Sequence, residues 1–297
     1  MSLLQPDNRH SCEGGDPVWW LAWIPAFAGM TVLLVATLSS AHALAEAIKY
    51  ARYQIDGEIR HGIVEAARVY DISGDLFGAA KRTGTSYALS EIRLLAPIVP
   101  RNVLAVGLNY RSHAGFTGSH PEIFLKTLSS ISGPGDPIPH FPDSSSLHYE
   151  GEMVVVIGKT ALDVPPDKVA DYILGVTAGN DVSERAWQGG DLQWWRAKGA
   201  DGFAPIGPYL VSGLSYDDLL LQTRLNGKVV QSERTSGMTH DVAAIVSWIS
   251  HYVTLNPGDV IFTGTPGSTS SMKPGDVVEI ELQGVGVLRN PVRARRR

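Results

Sequence analysis

From Ile48 onward the chain runs in short apolar stretches separated by turn-forming residues, a pattern of strands rather than long helices. Lys49–Ile55 and Ile59–Val64 flank Asp56-Gly57, and Leu221–Leu225 and Val229–Gln231 flank Asn226-Gly227. Both dipeptides suit a two-residue hairpin turn, whose central residues take positive φ. Arg68–Ile72 adds a strand, and Glu91–Pro97 closes a first unit. Further strands are predicted over Asn102–Leu108, Ile123–Lys126, His148–Ile157, Ile173–Asp181, Phe203–Leu210, Asp259–Thr263, Asp276–Leu282 and Gly286–Val292. Val242, Ile245, Val246, Ile249 and Val253 recur at helical spacing and predict a helix over 241–253. Pro165-Pro166 opens a helix-like stretch to Tyr172, and Val182 to Lys198 mixes helix and loop. With no internal repeat, the sum is a strand-dominated α+β protein.

Composition changes this picture mainly at the N-terminus. The 297 residues, 44% hydrophobic and 19% charged, suffice for one large domain or two modest ones. A formal net charge of -5 gives no reason to expect a nucleic acid or an anionic membrane as partner, and the basic run Arg293, Arg295, Arg296, Arg297 reads as a solvated end. One cysteine, Cys12, excludes an intramolecular disulfide and a cysteine-based zinc site, so stability must come from packing. Val18 to Leu38 is nearly uncharged, and Ala41-His42-Ala43 offers small residues for cleavage, as in a signal peptide or single anchor. Against this, Asp7, Glu13 and Asp16 outnumber Arg9 in the leading segment, and Pro25 and Gly29 interrupt the apolar run. The leading reading is an extension of residues 1–46 before a working protein that begins near Ala47. The expected compartment is then the cytoplasm, with export or anchoring the alternative if residues 1–43 act as a signal.

The candidate chemistry starts at Glu150-Gly151-Glu152, which opens the apolar run ending at Ile157. Positions i and i+2 of a strand share a face, so the two carboxylates would meet unless a cation separated them. A lone pair of this kind is more often a solvated strand end. Asp181 at the end of a second strand, His113 in the polar segment after a buried strand, and Lys198 after the mixed region weigh against that bland reading.

These residues stand within segments that resemble the fumarylacetoacetate hydrolase superfamily, in particular its shorter bacterial members. The likeness runs through Gly107-Leu108-Asn109-Tyr110-Arg111-Ser112-His113, Phe124-Leu125-Lys126, Tyr149-Glu150-Gly151-Glu152, Asn180-Asp181-Val182-Ser183 with Gln188, Lys198 with Asp201-Gly202-Phe203, and Gly258-Asp259 to Gly264-Thr265-Pro266. It implies a strand-rich mixed β-roll catalytic domain over 99–297, a small N-terminal β domain over 47–98, and a homodimer. It also implies a divalent metal on Glu150, Glu152 and Asp181. An oxygen-only ligand set of this kind favours a hard cation, Mg²⁺ or Mn²⁺; Ca²⁺ would want more ligands. The resemblance makes His113 the base and Lys198 the group that stabilises an oxyanion or enolate. Arg111, Lys126, Arg185, Gln188 and Thr265 are the residues expected to bind an anionic small-molecule substrate.

Two departures bear on the reaction. Many relatives carry a Glu three residues after the histidine, where it orients the imidazole; this chain has Phe116, with Glu122 the nearest acid beyond it. The segment Gly267-Ser268-Thr269-Ser270-Ser271-Met272-Lys273 also differs from the usual loop. The first expectation is a metal-dependent hydrolase that cleaves a C–C bond of an acylpyruvate-like 2-oxo acid or 1,3-dicarbonyl, as in aromatic or sugar-acid breakdown. The alternative is an isomerase or decarboxylase of an unsaturated 2-oxo diacid, and a third reading is a non-catalytic ligand-binding relative.

Overall fold

The computed structural model describes residues 47–115 and 118–295. The predicted extension up to residue 46 and the departure at Phe116 lie outside the described residues. The main sheet runs in the order Lys81–Ala88, Arg68–Ser73, Glu58–Glu65, Ile48–Ile55, Ala204–Ser212, Ile173–Asn180, Gly151–Ile157, Val260–Phe262, Val103–Gly107, Glu122–Lys126. Along this order the neighbours are antiparallel except Val260–Phe262 with Val103–Gly107, which pair in parallel; off it, the short strand Ile131–Ser132 pairs in parallel with Ala204–Ser212. A second sheet is ordered Lys228–Arg234, Leu220–Leu225, Val277–Leu282, Gly286–Ala294, Ile138–His140. The predicted strand-rich mixed fold is therefore present.

The strand Gly151–Ile157 has sheet neighbours on both sides and is buried along its whole length. Alternation sends Met153, Val155 and Ile157 into a core shared with Leu221, Val278, Ile280 and Leu288 of the second sheet, while Val154 and Val156 face Ala204, Ile206 and Phe262. Glycine is required at 151: a Cβ there would collide with the Thr223 hydroxyl and come within 3.0 Å of Ile280 Cδ1. The strand sits deep enough that any charge placed on it is dry.

Among the described residues four short α-helices complete the scaffold: α1 (Arg111–Ala114), α2 (Arg185–Gly190), α3 (Trp195–Gly199) and α4 (Val242–Tyr252). Asp241 caps α4 by accepting from the Ala244 N–H at 2.7 Å, and Val242, Ile245, Val246 and Ile249 face the core. Both predicted hairpins form, with positive φ at Asp56, Gly57, Asn226 and Gly227. Arg293 and Arg295 are exposed, as expected of a solvated end, with Arg293 in the strand Gly286–Ala294, which pairs in parallel with Ile138–His140. Among the described residues no helix is long and apolar enough to cross a membrane.

Candidate active site

The sequence pattern places Glu150 and Glu152 on one strand, but the strand begins only at Gly151. Tyr149 and Glu150 form the break after the short strand Leu147–His148. Two backbone links fix that break: the Glu150 N–H donates to Asn180 Oδ1 at 2.9 Å, and the Asp181 N–H donates to the Glu150 carbonyl at 2.9 Å. Glu152 lies opposite Gly179 on the neighbouring strand, two residues before Asp181. One oxygen from each of Glu150, Glu152 and Asp181 lies within 4.8 Å of the others. Their exposures of 4%, 1% and 1% rule out three solvated acids.

Cations meet these acids directly. Lys198 Nζ, delivered by α3, donates to Glu150 Oε2 at 2.8 Å and Asp181 Oδ2 at 2.6 Å. Lys126, at the end of its strand, donates to the Asp181 carboxylate and to the Lys198 carbonyl. Arg185, the first residue of α2, pairs with Glu150 and donates to Gln188 Oε1 at 2.7 Å. Phe124 lies 5.0 Å from Lys198 Nζ, so an aromatic face covers part of the ammonium.

The electrostatics follow from this packing. Burial alone would raise the Glu150 carboxyl, but Lys198 and Arg185 outweigh it and hold the group below the usual carboxylate range. Burial, then Asp181 and Glu150, pushes Glu152 well above that range; a single Gly264 N–H at 2.7 Å opposes the rise. Burial presses the Lys198 ammonium down, yet Asp181 and Glu150 raise it on balance, while for Lys126 burial prevails and lowers it.

A divalent cation fits this set. All three side chains offer oxygen, they converge in a dry site, and Glu152 resists ionisation because it is buried and two carboxylates stand beside it. A cation among them would reverse that resistance. The described structure thus provides a group that can hold a metal ion.

Over the carboxylates stands a polar roof. His113 Nδ1 lies 2.6 Å from the Gly267 carbonyl oxygen. A carbonyl can only accept, so Nδ1 carries the proton and, in the neutral ring, Nε2 is bare. Glu122 does not orient this ring: it opens the strand Glu122–Lys126, and its carboxylate lies 3.9 Å from His120. The unusual loop is seated on the break before Glu150. Its Thr269 hydroxyl contacts His148 Nδ1 at 2.8 Å, Ser270 contacts the Tyr149 hydroxyl at 3.1 Å, and the Met272 N–H donates to the Leu147 carbonyl at 2.7 Å.

Of the expected substrate-binding residues, Lys126, Arg185 and Gln188 join this centre. Arg111 is exposed on α1. The Thr265 hydroxyl donates to the Gly151 carbonyl at 2.9 Å and accepts from Gln231 Nε2 at 2.9 Å, so both contacts tie it to the scaffold. Gln231 and Asn109 escape the sequence reading. Gln231 also accepts from the Gly151 N–H at 3.2 Å, and Asn109 Nδ2 donates to the carbonyls of Thr263 and His240 at 2.7 and 2.9 Å. Their signal, a polar amide in an apolar context, was hidden inside a hairpin strand and a turn.

Residues 102–293 match the family model described as fumarylacetoacetate (FAA) hydrolase C-terminal, and residues 48–97 match one described as Rv2993c-like, N-terminal. Protein Rv2993c of Mycobacterium tuberculosis is 46% identical over 245 residues, covering 80% of this chain and 92% of that protein. Oxaloacetate tautomerase fahd2, mitochondrial, of Xenopus laevis is 38% identical over 220 residues, covering 68% of this chain and 69% of that protein. The crystal structure of 2-hydroxyhepta-2,4-diene-1,7-dioate isomerase from Mycobacterium marinum superposes with a TM-score of 0.80 at 42% identity, covering 84% of this chain and all (100%) of that one.

Proposed function

The chain belongs to the fumarylacetoacetate hydrolase family, and from that premise we propose that it moves a proton beside the keto group of a 2-oxo diacid, by way of an enolate. The observation that carries this reading is the state of His113, whose Nδ1–H is fixed on the Gly267 carbonyl and whose Nε2 is left to accept. Nε2 takes a proton from C3, and the electron pair left behind delocalises onto the 2-oxo oxygen. Lys198, held charged between Glu150 and Asp181, meets that oxyanion. Delivery of the proton to the oxyanion gives the enol, so this sequence and its reverse interconvert keto and enol; delivery to the far end of a conjugated dienolate gives double-bond isomerisation. Both outcomes agree with the names borne by the tautomerase and isomerase relatives.

A divalent cation held by Glu150, Glu152 and Asp181, Mg²⁺ or Mn²⁺ by its ligand chemistry, would supply Lewis-acid polarisation of the 2-oxo group. Charge selects the substrate. The three carboxylates are already matched by Lys126, Lys198 and Arg185, so a dication leaves the pocket positive and suited to a dianion. We assign its second carboxylate to Arg185 and Gln188, which bond to each other, and the half-buried Arg185 can turn from Glu150 to meet it. The homodimer implied by the resemblance is part of this proposal, and sedimentation equilibrium tests it.

C–C hydrolysis is the second reading, because the same bare Nε2 could take a proton from water. The test is a panel with Mg²⁺: ¹H NMR of C3 exchange on oxaloacetate in D₂O, CO₂ release from oxaloacetate, and pyruvate release from acylpyruvates. Enzyme-dependent exchange faster than cleavage or CO₂ release is expected. Cleavage without exchange would overturn the reading in favour of hydrolysis, and CO₂ release outpacing exchange would favour a decarboxylase.

A further inference from the structure

His113 lacks a carboxylate on its own helix among the described residues, yet its ring is held by a chain of bonds that ends on an acid far away in sequence. Successive residues of α1 grip both polar groups of Gly267: Ser112 Oγ accepts its N–H at 3.0 Å, and His113 Nδ1 donates to its carbonyl at 2.6 Å. Having accepted from Gly267, the Ser112 hydroxyl directs its own proton to Glu233 Oε2, at 2.5 Å. Chemistry therefore fixes every proton from Glu233 to Nδ1. Glu233 lies near the end of the strand Lys228–Arg234 in the second sheet. The following turn confines its carboxylate, since a Cβ on Gly237 would come within 2.6 Å of Glu233 Oε1. Gly267 takes φ +61°, the conformation that turns its N–H and its carbonyl toward adjacent residues of α1.

We propose that Glu233 and Ser112 are positioning residues for His113, acting through the main chain of Gly267 to hold the imidazole with Nε2 toward the substrate. The inference rests on the reading of His113 as the base. Position, rather than charge, is what the chain of bonds conveys, because the N–H and carbonyl of Gly267 belong to different peptide units. The Ser112 to Glu233 bond is charge-assisted and therefore a firm anchor. An acid on a remote strand thus orients the histidine without touching it.

The test joins spectroscopy to kinetics on the full chain with Mg²⁺. In ¹⁵N-histidine-labelled protein the His113 signal, identified by its loss in His113→Gln, should show a protonated Nδ1 and an unprotonated Nε2. Ser112→Ala and Glu233→Ala should give a mixture of tautomers and lower kcat for C3 exchange about tenfold, the size expected for one hydrogen bond to a charged group, with KM changed less than twofold. Glu233→Gln, which can still accept from Ser112, should restore the wild-type tautomer and most of kcat. Thermal melts show whether each variant is folded, and because Ser112 is exposed, Ser112→Ala keeps the test available if Glu233→Ala unfolds. Wild-type tautomer and kcat in folded Ser112→Ala would overturn the proposal, as would an Nε2-protonated wild type. If the tautomers behave as expected but no substrate turns over, the positioning stands and the proton-transfer reading fails.

Discussion

The carboxylate floor and the polar roof are built by different means. Glu150, Glu152 and Asp181 sit on or beside central strands, buried to within 4% exposure and fixed by sheet register. The roof, α1 and the loop after Thr263, is held through side chains: Ser112 accepts from the Gly267 N–H, His113 donates to the Gly267 carbonyl, Gln231 donates to Thr265 and to the Pro266 carbonyl, and His148 meets the Thr269 hydroxyl. The floor cannot move without disturbing the core, whereas the roof can be retuned one side chain at a time. The experiments that probe this division differ in scale accordingly.

Asp181→Ala should have the greatest effect. It strips Lys126 and Lys198 of a shared partner in a dry site, and an unpaired buried charge costs about 3–5 kcal/mol. Urea denaturation should record that loss, and calorimetry should show no Mg²⁺ or Mn²⁺ binding. A variant as stable as wild type would mean that the floor is as adaptable as the roof. Lys198→Met comes next. Removal of a fixed donor to a developing oxyanion should lower kcat about 10²–10³-fold with a smaller change in KM. A rise in KM alone, with kcat unchanged, would take Lys198 out of the chemistry.

The same contrast explains what the sequence made legible. Central strands announce themselves as continuous apolar runs, the hairpins by Asp-Gly and Asn-Gly, and α4 by spacing and its Asp241 cap. The floor was visible because acids inside such strands are anomalous. By contrast, Lys81–Ala88 is an exposed edge strand of polar residues and carries no alternation signal. Ile131–Ser132 and Ile138–His140 are two- and three-residue strands that exist only by pairing in parallel with distant segments. The roof was equally hidden, since its Ser, Thr and Gly residues read as a solvated loop until tertiary contacts give each a partner. Glu150 was legible as a candidate ligand but not as the residue before the strand, because the break depends on Asn180 and Asp181, at the end of another strand.

A subtler probe of the floor is pH. Folding raises the Glu152 carboxyl above its unfolded value, so the native state holds a proton that the unfolded chain has already lost. Glu152 therefore contributes stability below the ordinary carboxyl range, and that contribution is lost as pH rises toward its raised folded value. In EDTA the melting temperature should fall as pH climbs through this window. Mg²⁺ should reverse the fall, because a bound cation favours the ionised form. Glu152→Gln should flatten the pH dependence and abolish the response to Mg²⁺. A wild-type melting temperature that rises across the same window in EDTA would contradict the direction assigned to Glu152.

Thr269→Val should produce the least change, and for that reason it bears most directly on the roof. The Thr269 hydroxyl sits 2.8 Å from His148 Nδ1 and 3.4 Å from the Arg185 guanidinium, so it joins the unusual loop to the residue assigned to the substrate's second carboxylate. Valine keeps the shape and removes the hydroxyl. The loss is worth about 1 kcal/mol, roughly fivefold in an equilibrium constant. Because neither His113 nor Lys198 bonds to Thr269, the loss should fall on KM, with kcat and the melting temperature held near wild type. A kcat loss comparable to that of Lys198→Met would show that the loop is coupled to the floor rather than resting on it. An unchanged KM for a diacid beside an increased KM for a monoacid would place the second carboxylate elsewhere than at Arg185.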